Sequence, residues 1–343
     1  MKIGFIAPNS IAAVNGGLRT QALFTAKHLK ELDVEVVFIS PWDDISQLDI
    51  DIFHVFSASM ENFGIVSRLR EQNKKIILSP VLYSNRKASN IRTLLKIEEK
   101  LASVSLGISS EFAQKKQICG KADLILPNTH AEAELINKAF TISNSKIQVV
   151  PNGVEKRFLD SDPTLFEKKM GLKDFVLFVG QASAPRKNVI SLLEVFKDLN
   201  EKLVIIGDFS NSEYSRKCLS LADRNPNVHL INTLEHNSEL LSSAYAACKV
   251  FVLPSQFETP GISAMEAGLA GSNIVITEVG GSTDYFKDYA NYVSPYSITS
   301  IKKGIQDALK KEKSQHLKNH LVENFTWDKI AEQTLSQYKK VLV

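Results

Sequence analysis

Short apolar runs alternate with helical patterns along this chain, break off, and then start again. In the first series the runs fall at 3–7, 34–39, 51–56, 75–78 and 122–127, and 147–153 closes it with a strand and a turn. Between them, 18–32 carries a helical stripe of Leu18, Ala22, Ala26 and Leu29, 61–72 reads as another helix, and two more fall between 89 and 120. Such alternation predicts crossover connections and a parallel sheet covered on both faces. The polar stretch 154–173, with Asp160, Asp162 and Pro163, reads as a linker. Beyond it, runs at 175–179, 203–206, 228–231, 250–253 and 274–276 predict a second unit of the same kind, and 319–343 reads as amphipathic helix. The expected fold class is α/β, with two Rossmann-like doubly wound parallel-sheet domains facing a cleft. The expected domains are 1–160 and 161–326, with a terminal helix 327–343 packing back on the first. Ligands of open α/β sheets sit beyond the carboxyl ends of the strands, so the chemistry belongs in the loops that follow them.

Composition narrows the function classes. With 343 residues, 44% of them hydrophobic, the chain can bury two cores without disulfide or metal staples. A net charge of +3 is too small to imply nucleic acid as the main partner, and none is expected. Cys119, Cys218 and Cys248 show no CxxC spacing, which points to a reducing compartment. Residues 1–9 lack the apolar length of a signal peptide, and no run approaches the ~18–20 apolar residues of a membrane span. The expected location is the cytoplasm, including the inner face of the membrane.

Three stretches carry candidate chemistry. After the apolar run 250–253 comes Pro254-Ser255-Gln256-Phe257-Glu258-Thr259-Pro260-Gly261-Ile262-Ser263-Ala264-Met265-Glu266. Thr259 reads as an N-cap and Pro260 as the first helical residue, so the helix start offers free N–H groups to an anion such as a diphosphate. Glu258 precedes this helix and Glu266 lies inside it; a carboxylate accepts two hydrogen bonds and can read a diol. The plainer reading makes both glutamates solvated surface charges. After 175–179, the stretch Gly180 to Asn188 brings Arg186 and Lys187, which can meet phosphate oxygens or stand as surface cations at a helix start. Asn15-Gly16-Gly17 follows the first strand and lets backbone approach a phosphate or sugar, though a plain turn uses the same residues. The fingerprints GxGxxG, at the first loop, and GxxxxGK[ST], anywhere, are absent, which demotes dehydrogenases and phosphate-loop NTPases. No GxSxG elbow supports covalent hydrolase chemistry.

Glu258 and Glu266 enclose seven residues, an E-x7-E pattern. With Gly16-Gly17, Pro151-Asn152-Gly153-Val154, Pro185-Arg186-Lys187-Asn188 and Gly280-Gly281, the chain resembles the retaining glycosyltransferases of family 4 (glycosyl transferases group 1), which have the GT-B fold. The resemblance implies transfer of a sugar, with retention, from a nucleoside-diphosphate sugar to an acceptor hydroxyl, with no metal and no cofactor besides the donor. It implies that Glu258 meets the donor sugar's hydroxyls and Glu266 the ribose, while Gly261 and Ile262 face phosphates and sugar. Lys187, with Arg186 nearby, would neutralise the diphosphate, Gly16 and Gly17 would approach it, and Leu234 would flank the base. The acceptor would be a carbohydrate, glycolipid or glycoprotein, in cell-surface polysaccharide or related glycan synthesis.

Two departures stand out. The family usually carries Arg directly after the glycine at 180, where this chain has Gln181, and many relatives carry a His after the strand at 76–78, where this chain reads Ser79-Pro80-Val81-Leu82. His54 matches a different family histidine, and a buried, hydrogen-bonded imidazole explains it as well. Asp49-Ile50-Asp51, Asp160-Ser161-Asp162 and the His316/His320 pair match short metal patterns, but chance spacing and neighbouring lysines disfavour a metal there. Residues 68–121 carry a net +8 against −5 elsewhere, and the amphipathic basic region 86–121 fits either an anionic lipid surface or a solvated helix over the first sheet. Two rival classes remain: a non-catalytic glycosyltransferase-like subunit that binds a glycan or a partner, and a sugar-nucleotide epimerase, for which no base can be nominated.

Overall fold

The computed structural model describes residues 1–13, 16–102 and 109–343. Asn15 and residues 103–108 of the basic region lie outside the described residues. The chain forms two compact units, Met1–Gly153 with Trp327–Val343, and Val154–Thr326. Each is built on one parallel sheet with helices between its strands.

In the first unit the strands are β1 (Lys2–Ile6), β2 (Glu35–Phe38), β3 (Ile52–Phe56), β4 (Ile76–Ser79) and β5 (Leu124–Ile125), in the order β2-β1-β3-β4-β5. All of β3 and β4 is buried, as a sheet covered on both faces requires. The second unit has β6 (Val176–Val179), β7 (Leu203–Ile206), β8 (Val228–Ile231), β9 (Val250–Leu253), β10 (Asn273–Thr277) and β11 (Ala290–Val293), in the order β11-β10-β9-β6-β7-β8. From β6 the chain winds outward through β7 and β8, then returns to β9 beside β6 and winds the other way. Adjacent β6 and β9 therefore form the switch point of this sheet, the place where loops diverge and leave a crevice at the carboxyl ends.

Two expectations need correction. The strand expected over 147–153 is not part of the sheet: Ile147 makes an isolated bridge to Ile125, and the Gln148 and Val150 amides donate to Ile125 and Pro127 carbonyls. Pro127 has no N–H with which to extend that ladder. The stretch 154–173 is not a linker. It holds a 3₁₀ turn (Lys156–Phe158) and a helix (Thr164–Met170), and Phe158 and Phe166 are completely buried in the second unit's core. Two aromatic anchors thus pin a segment whose remaining residues are largely polar, and the Val154 amide donates to the Phe325 carbonyl at 2.8 Å. Residues 154–160, expected in the first domain, therefore group with the second. Two further elements, the helix His130–Phe140 and β11, lie outside the apolar runs.

The terminal helix Trp327–Leu342 belongs to the first unit. Trp327 stacks on Phe24 with ring centroids 5.7 Å apart, and the Tyr338 hydroxyl lies 2.6 Å from His54 Nδ1. Gly153 faces the Trp327 indole so closely that a β-carbon there would fall 2.5 Å from Cδ2. Gly153→Ala is expected to overpack this contact and destabilise the first unit by about 1–3 kcal/mol. Urea unfolding of the variant measures this; an unchanged midpoint would show that the indole yields at no cost.

Candidate functional site

The second unit gathers its polar side chains at the carboxyl ends of β6, β8, β9 and β10. After β6 the chain makes a 3₁₀ turn over Pro185–Lys187, closed by Asn188 in the left-handed conformation, φ 59°. Asn tolerates that region better than most residues. The Asn188 side-chain amide donates to the carbonyls of Pro254 (3.0 Å) and Pro295 (2.8 Å), and the Gln256 amide donates to the Arg186 carbonyl at 2.8 Å. One short turn is thus bonded to the segments that follow β9 and β11, and this fixes where Lys187 points.

Lys187 points at Glu258. Its ammonium lies 2.6 Å from Glu258 Oε1, with the two side chains only 11% and 8% exposed. Arg186 Nη1 lies 3.9 Å from the same oxygen, and its guanidinium sits 5.6 Å from the Phe257 ring. Burial alone would push the Glu258 carboxyl up, but the charges of Lys187 and Arg186 outweigh it and hold the group below its ordinary value. The backbone here is equally constrained. The Glu258 amide donates to the Val279 carbonyl, and the Gly281 amide donates to the Glu258 carbonyl. Gly280 has φ +111°, and a β-carbon on it would fall 2.0 Å from that carbonyl oxygen, so this crossing of loops demands glycine.

The helix after Glu258 runs over Ile262–Leu269. Its N-cap is Gly261 (φ 73°), with no side-chain cap, so the expected Thr259 cap and Pro260 first position are corrected. Thr259 and Pro260 belong to the lead-in, because the chain turns into the helix only at the positive-φ glycine. The leading N–H groups, including those of Gly261 and Ile262, have no acceptor within the helix. Glu266 lies one turn inside, buried, and both carboxylate oxygens are engaged: Oε2 accepts from the Tyr245 hydroxyl and Oε1 lies against His236 Nε2, each at 2.8 Å.

His236 and Tyr245 join the candidate site through their bonds to Glu266, and motif spacing did not reveal them. His236 lies two residues beyond half-buried Leu234 in the loop after β8. Its Nδ1 is 3.5 Å from Glu155 Oε2, an oxygen that also accepts from Arg157 Nε at 3.1 Å. Arg157 further donates to the His236 carbonyl and lies 3.9 Å over the Phe158 ring. Burial pulls His236 down, but the hydrogen bond and charge of Glu266 outweigh it, and the imidazole titrates above its ordinary value. Burial and Glu266 together keep the Tyr245 hydroxyl protonated.

The other candidates fall elsewhere. Gly16 caps the helix Gly17–Lys30 after β1, in the first unit, and Gly17 is that helix's first residue. His54 is buried between Tyr338 and Ser79 Oγ (2.9 Å), and burial lowers its pKa to about 3, so it is a neutral packing residue. Asp51 accepts from the Lys2 amide and Asp162 from Thr164, while His320 meets the Tyr285 carbonyl and His316 stacks on Tyr289. Among the described residues no group of three His, Cys, Asp or Glu converges as a metal site. In the segment Pro80-Val81-Leu82 after β4, which carries no histidine, the Leu82 amide donates to Glu132, a carboxyl that burial pushes up to about 7.

Glu258→Gln leaves the Lys187 ammonium buried without its counterion and is expected to cost about 3 kcal/mol. The double variant Glu258→Gln, Lys187→Met should cost clearly less than the two single changes summed, as a pair in contact requires. Urea unfolding of the three variants measures this, and additive losses would contradict the pair. Because Glu258 is held below its ordinary value, the pair's contribution is complete above that value and is lost as pH falls through the lowered one.

Comparison with known proteins shows what this unit is similar to. Residues 165–324 match the family model described as glycosyl transferases group 1. An uncharacterized glycosyltransferase of Methanocaldococcus jannaschii is 28% identical over 226 residues, 60% of this chain and 57% of that protein. The chain spans about half the length of the curated relatives it matches. A sucrose-phosphate synthase from Thermosynechococcus elongatus superposes with a TM-score of 0.79 at 16% identity, covering 99% of each chain. An Anabaena protein, HepE, crystallised with UDP-glucose, superposes with a TM-score of 0.70 at 16% identity, covering 99% of this chain and all of that one. The fold is therefore that of the GT-B glycosyltransferases, and the unit holding Lys187, Glu258 and Glu266 is the part of the chain that is similar to the glycosyl transferases group 1.

Proposed function

We propose that the chain is a retaining glycosyltransferase that moves a sugar from a nucleoside-diphosphate sugar to an acceptor hydroxyl. The observation that carries this reading is the buried Lys187–Glu258 pair beside the uncapped helix start at Gly261 and Ile262. A cation and helix N–H groups suit a diphosphate, and carboxylates on either side of them suit the hydroxyls of the two sugars that flank it. That a structural neighbour was crystallised with UDP-glucose supports a donor of this class.

In this reading Glu258 holds the donor sugar and Glu266 the ribose, with Leu234 beside the base. Lys187 and the Gly261 and Ile262 amides stabilise the charge that develops on the departing diphosphate. The bond from the anomeric carbon to the phosphate oxygen breaks, the acceptor oxygen takes its place on the same face, and a diphosphate oxygen takes the acceptor's proton. The chain's own cations supply the charge for this step, and no divalent ion is called on. Arg186, 3.9 Å from Glu258, brings a second cation to a site where Gln181 replaces the family's usual arginine. Gln181 and the missing histidine after β4 favour a non-catalytic subunit; Arg186 answers the first, and the intact Lys187, Glu258 and Glu266 weigh against that reading.

The acceptor is a carbohydrate, glycolipid or glycoprotein in surface-glycan synthesis, and the Gly16 and Gly17 backbone at the first unit's helix start suits close approach to a phosphate or sugar. The helix Ala88–Ala102 exposes Ile97 and Leu101 among Arg92, Lys96 and Lys100, a face that suits anionic lipid. Among the described residues no helix is long and apolar enough to cross a membrane.

A mass-spectrometric screen of UDP-, GDP- and dTDP-sugars for binding and slow hydrolysis tests the reading. One donor is expected to turn over, and Lys187→Ala and Glu266→Ala are each expected to slow it by about 10²-fold or more. Unchanged turnover in both variants would overturn the site assignment.

A further inference from the structure

Glu266 is held by two partners of unlike mobility. Tyr245 is completely buried, with its hydroxyl on Oε2, and cannot leave without stranding a polar group. His236 holds Oε1 from a loop, and its side chain is 40% exposed against 5% for Glu266. The imidazole also lies between two carboxylates, with Nε2 2.8 Å from Glu266 and Nδ1 3.5 Å from Glu155. A neutral ring has one N–H and one lone pair, so in this setting it would turn the lone pair toward a carboxylate. Only the imidazolium offers a proton to both.

We infer that His236 is a positioning residue for Glu266: as an imidazolium bridging Glu155 and Glu266 it locks the carboxylate in the empty site, and a nucleotide's vicinal diol displaces it, so that nucleotide binding releases a proton. This inference rests on the proposed assignment of Glu266 to the ribose. The diol is a pair of neutral donors that can take Oε1 only from the exposed partner. Once displaced, the ring loses the acceptor that favours its charge and returns toward its ordinary value. The raised titration of His236 beside Glu266 agrees with this direction. The groups facing the ring are Glu155 and Arg157 from the turn before the helix Thr164–Met170, Glu266 from Ile262–Leu269, and the Tyr245 hydroxyl on the far side of the same carboxylate. Arg157 opposes the imidazolium and the two carboxylates favour it, so Glu155 tunes the switch without contacting the ligand.

The sign follows from linkage. Binding that expels a proton strengthens as pH rises, and a one-unit drop in the histidine's pKa on binding amounts to at most about tenfold in affinity, most of it gained as pH crosses the two values, a range that a scan from about pH 6 to about pH 8 samples. Titration calorimetry of the full chain with UDP-glucose, GDP-mannose and ADP-glucose, whose phosphates are diesters that do not titrate in that range, reads this directly. In two buffers of different ionisation enthalpy, the heats also count the proton released. The expected result is a donor whose affinity rises severalfold with pH and whose binding releases a fraction of a proton, about half for a one-unit drop, with the release greatest between the histidine's free and bound values and fading at lower pH. His236→Gln keeps a donor to Glu266 but cannot titrate, and should bind with a flat pH profile. Glu155→Gln should move the rise to lower pH. Binding that is equally tight across the range, with no buffer-dependent heat, would overturn the role of His236 and leave the donor assignment standing. Absence of binding by all three probes at every pH would overturn both.

Discussion

A lysine ammonium and a glutamate carboxylate 2.6 Å apart, nearly excluded from water, hold the second unit's working end in place. Removing two such charges from solvent costs several kcal/mol each, and their attraction offsets this only while the geometry holds. The scaffold is built to hold it. Asn188 bonds the turn that carries Lys187 to the segments after β9 and β11. Gly280 lets the loop after β10 cross the Glu258 carbonyl at a distance no side chain permits. The pair thus joins the loops of β6 and β9, the two adjacent strands from which the sheet winds in opposite directions.

The second carboxylate is treated differently. Glu266 is hydrogen-bonded on both oxygens and, among the described residues, forms no ion pair with a lysine; its partners are a buried phenol and a loop histidine. A carboxylate matched to a cation suits an ion, and one matched to hydroxyl and imidazole donors suits an exchange of donors. The uncapped helix start lies between the two glutamates in sequence, with Gly261 giving the turn its left-handed entry. The division of labour proposed for diphosphate, donor sugar and ribose follows from these three local chemistries.

Much of this was legible in the residues, for reasons that can be named. Buried parallel strands write themselves as apolar runs, so all of β1 to β4 and β6 to β10 are visible, and loops after strands locate Lys187, Glu258 and Glu266 without any coordinates. Half-buried β11 sits at a sheet edge, where that signal is weakest, whereas two-residue β5, at the edge of the other sheet, still falls inside the run 122–127. Phe158 and Phe166 anchor a segment whose average polarity hides them. The helix His130–Phe140 opens with Thr129 capping Glu132, a T-x-x-E pattern present in the sequence but outside any apolar run. Thr259 and Pro260 fit a helix start, but the positive φ of Gly261 delays it, and a single sequence does not show which glycine turns the chain. His236 was beyond reach for a different reason. It meets Glu155 and Glu266 only through tertiary packing, and neither spacing nor composition links 155, 236 and 266.

The most direct test of the account is a crystal of this protein grown or soaked with a sugar nucleotide that binds it. The diphosphate should lie within hydrogen-bonding distance of Lys187 Nζ and of the Gly261 or Ile262 amide, with the ribose diol on Glu266. A ligand bound away from the 258–266 segment would contradict the account.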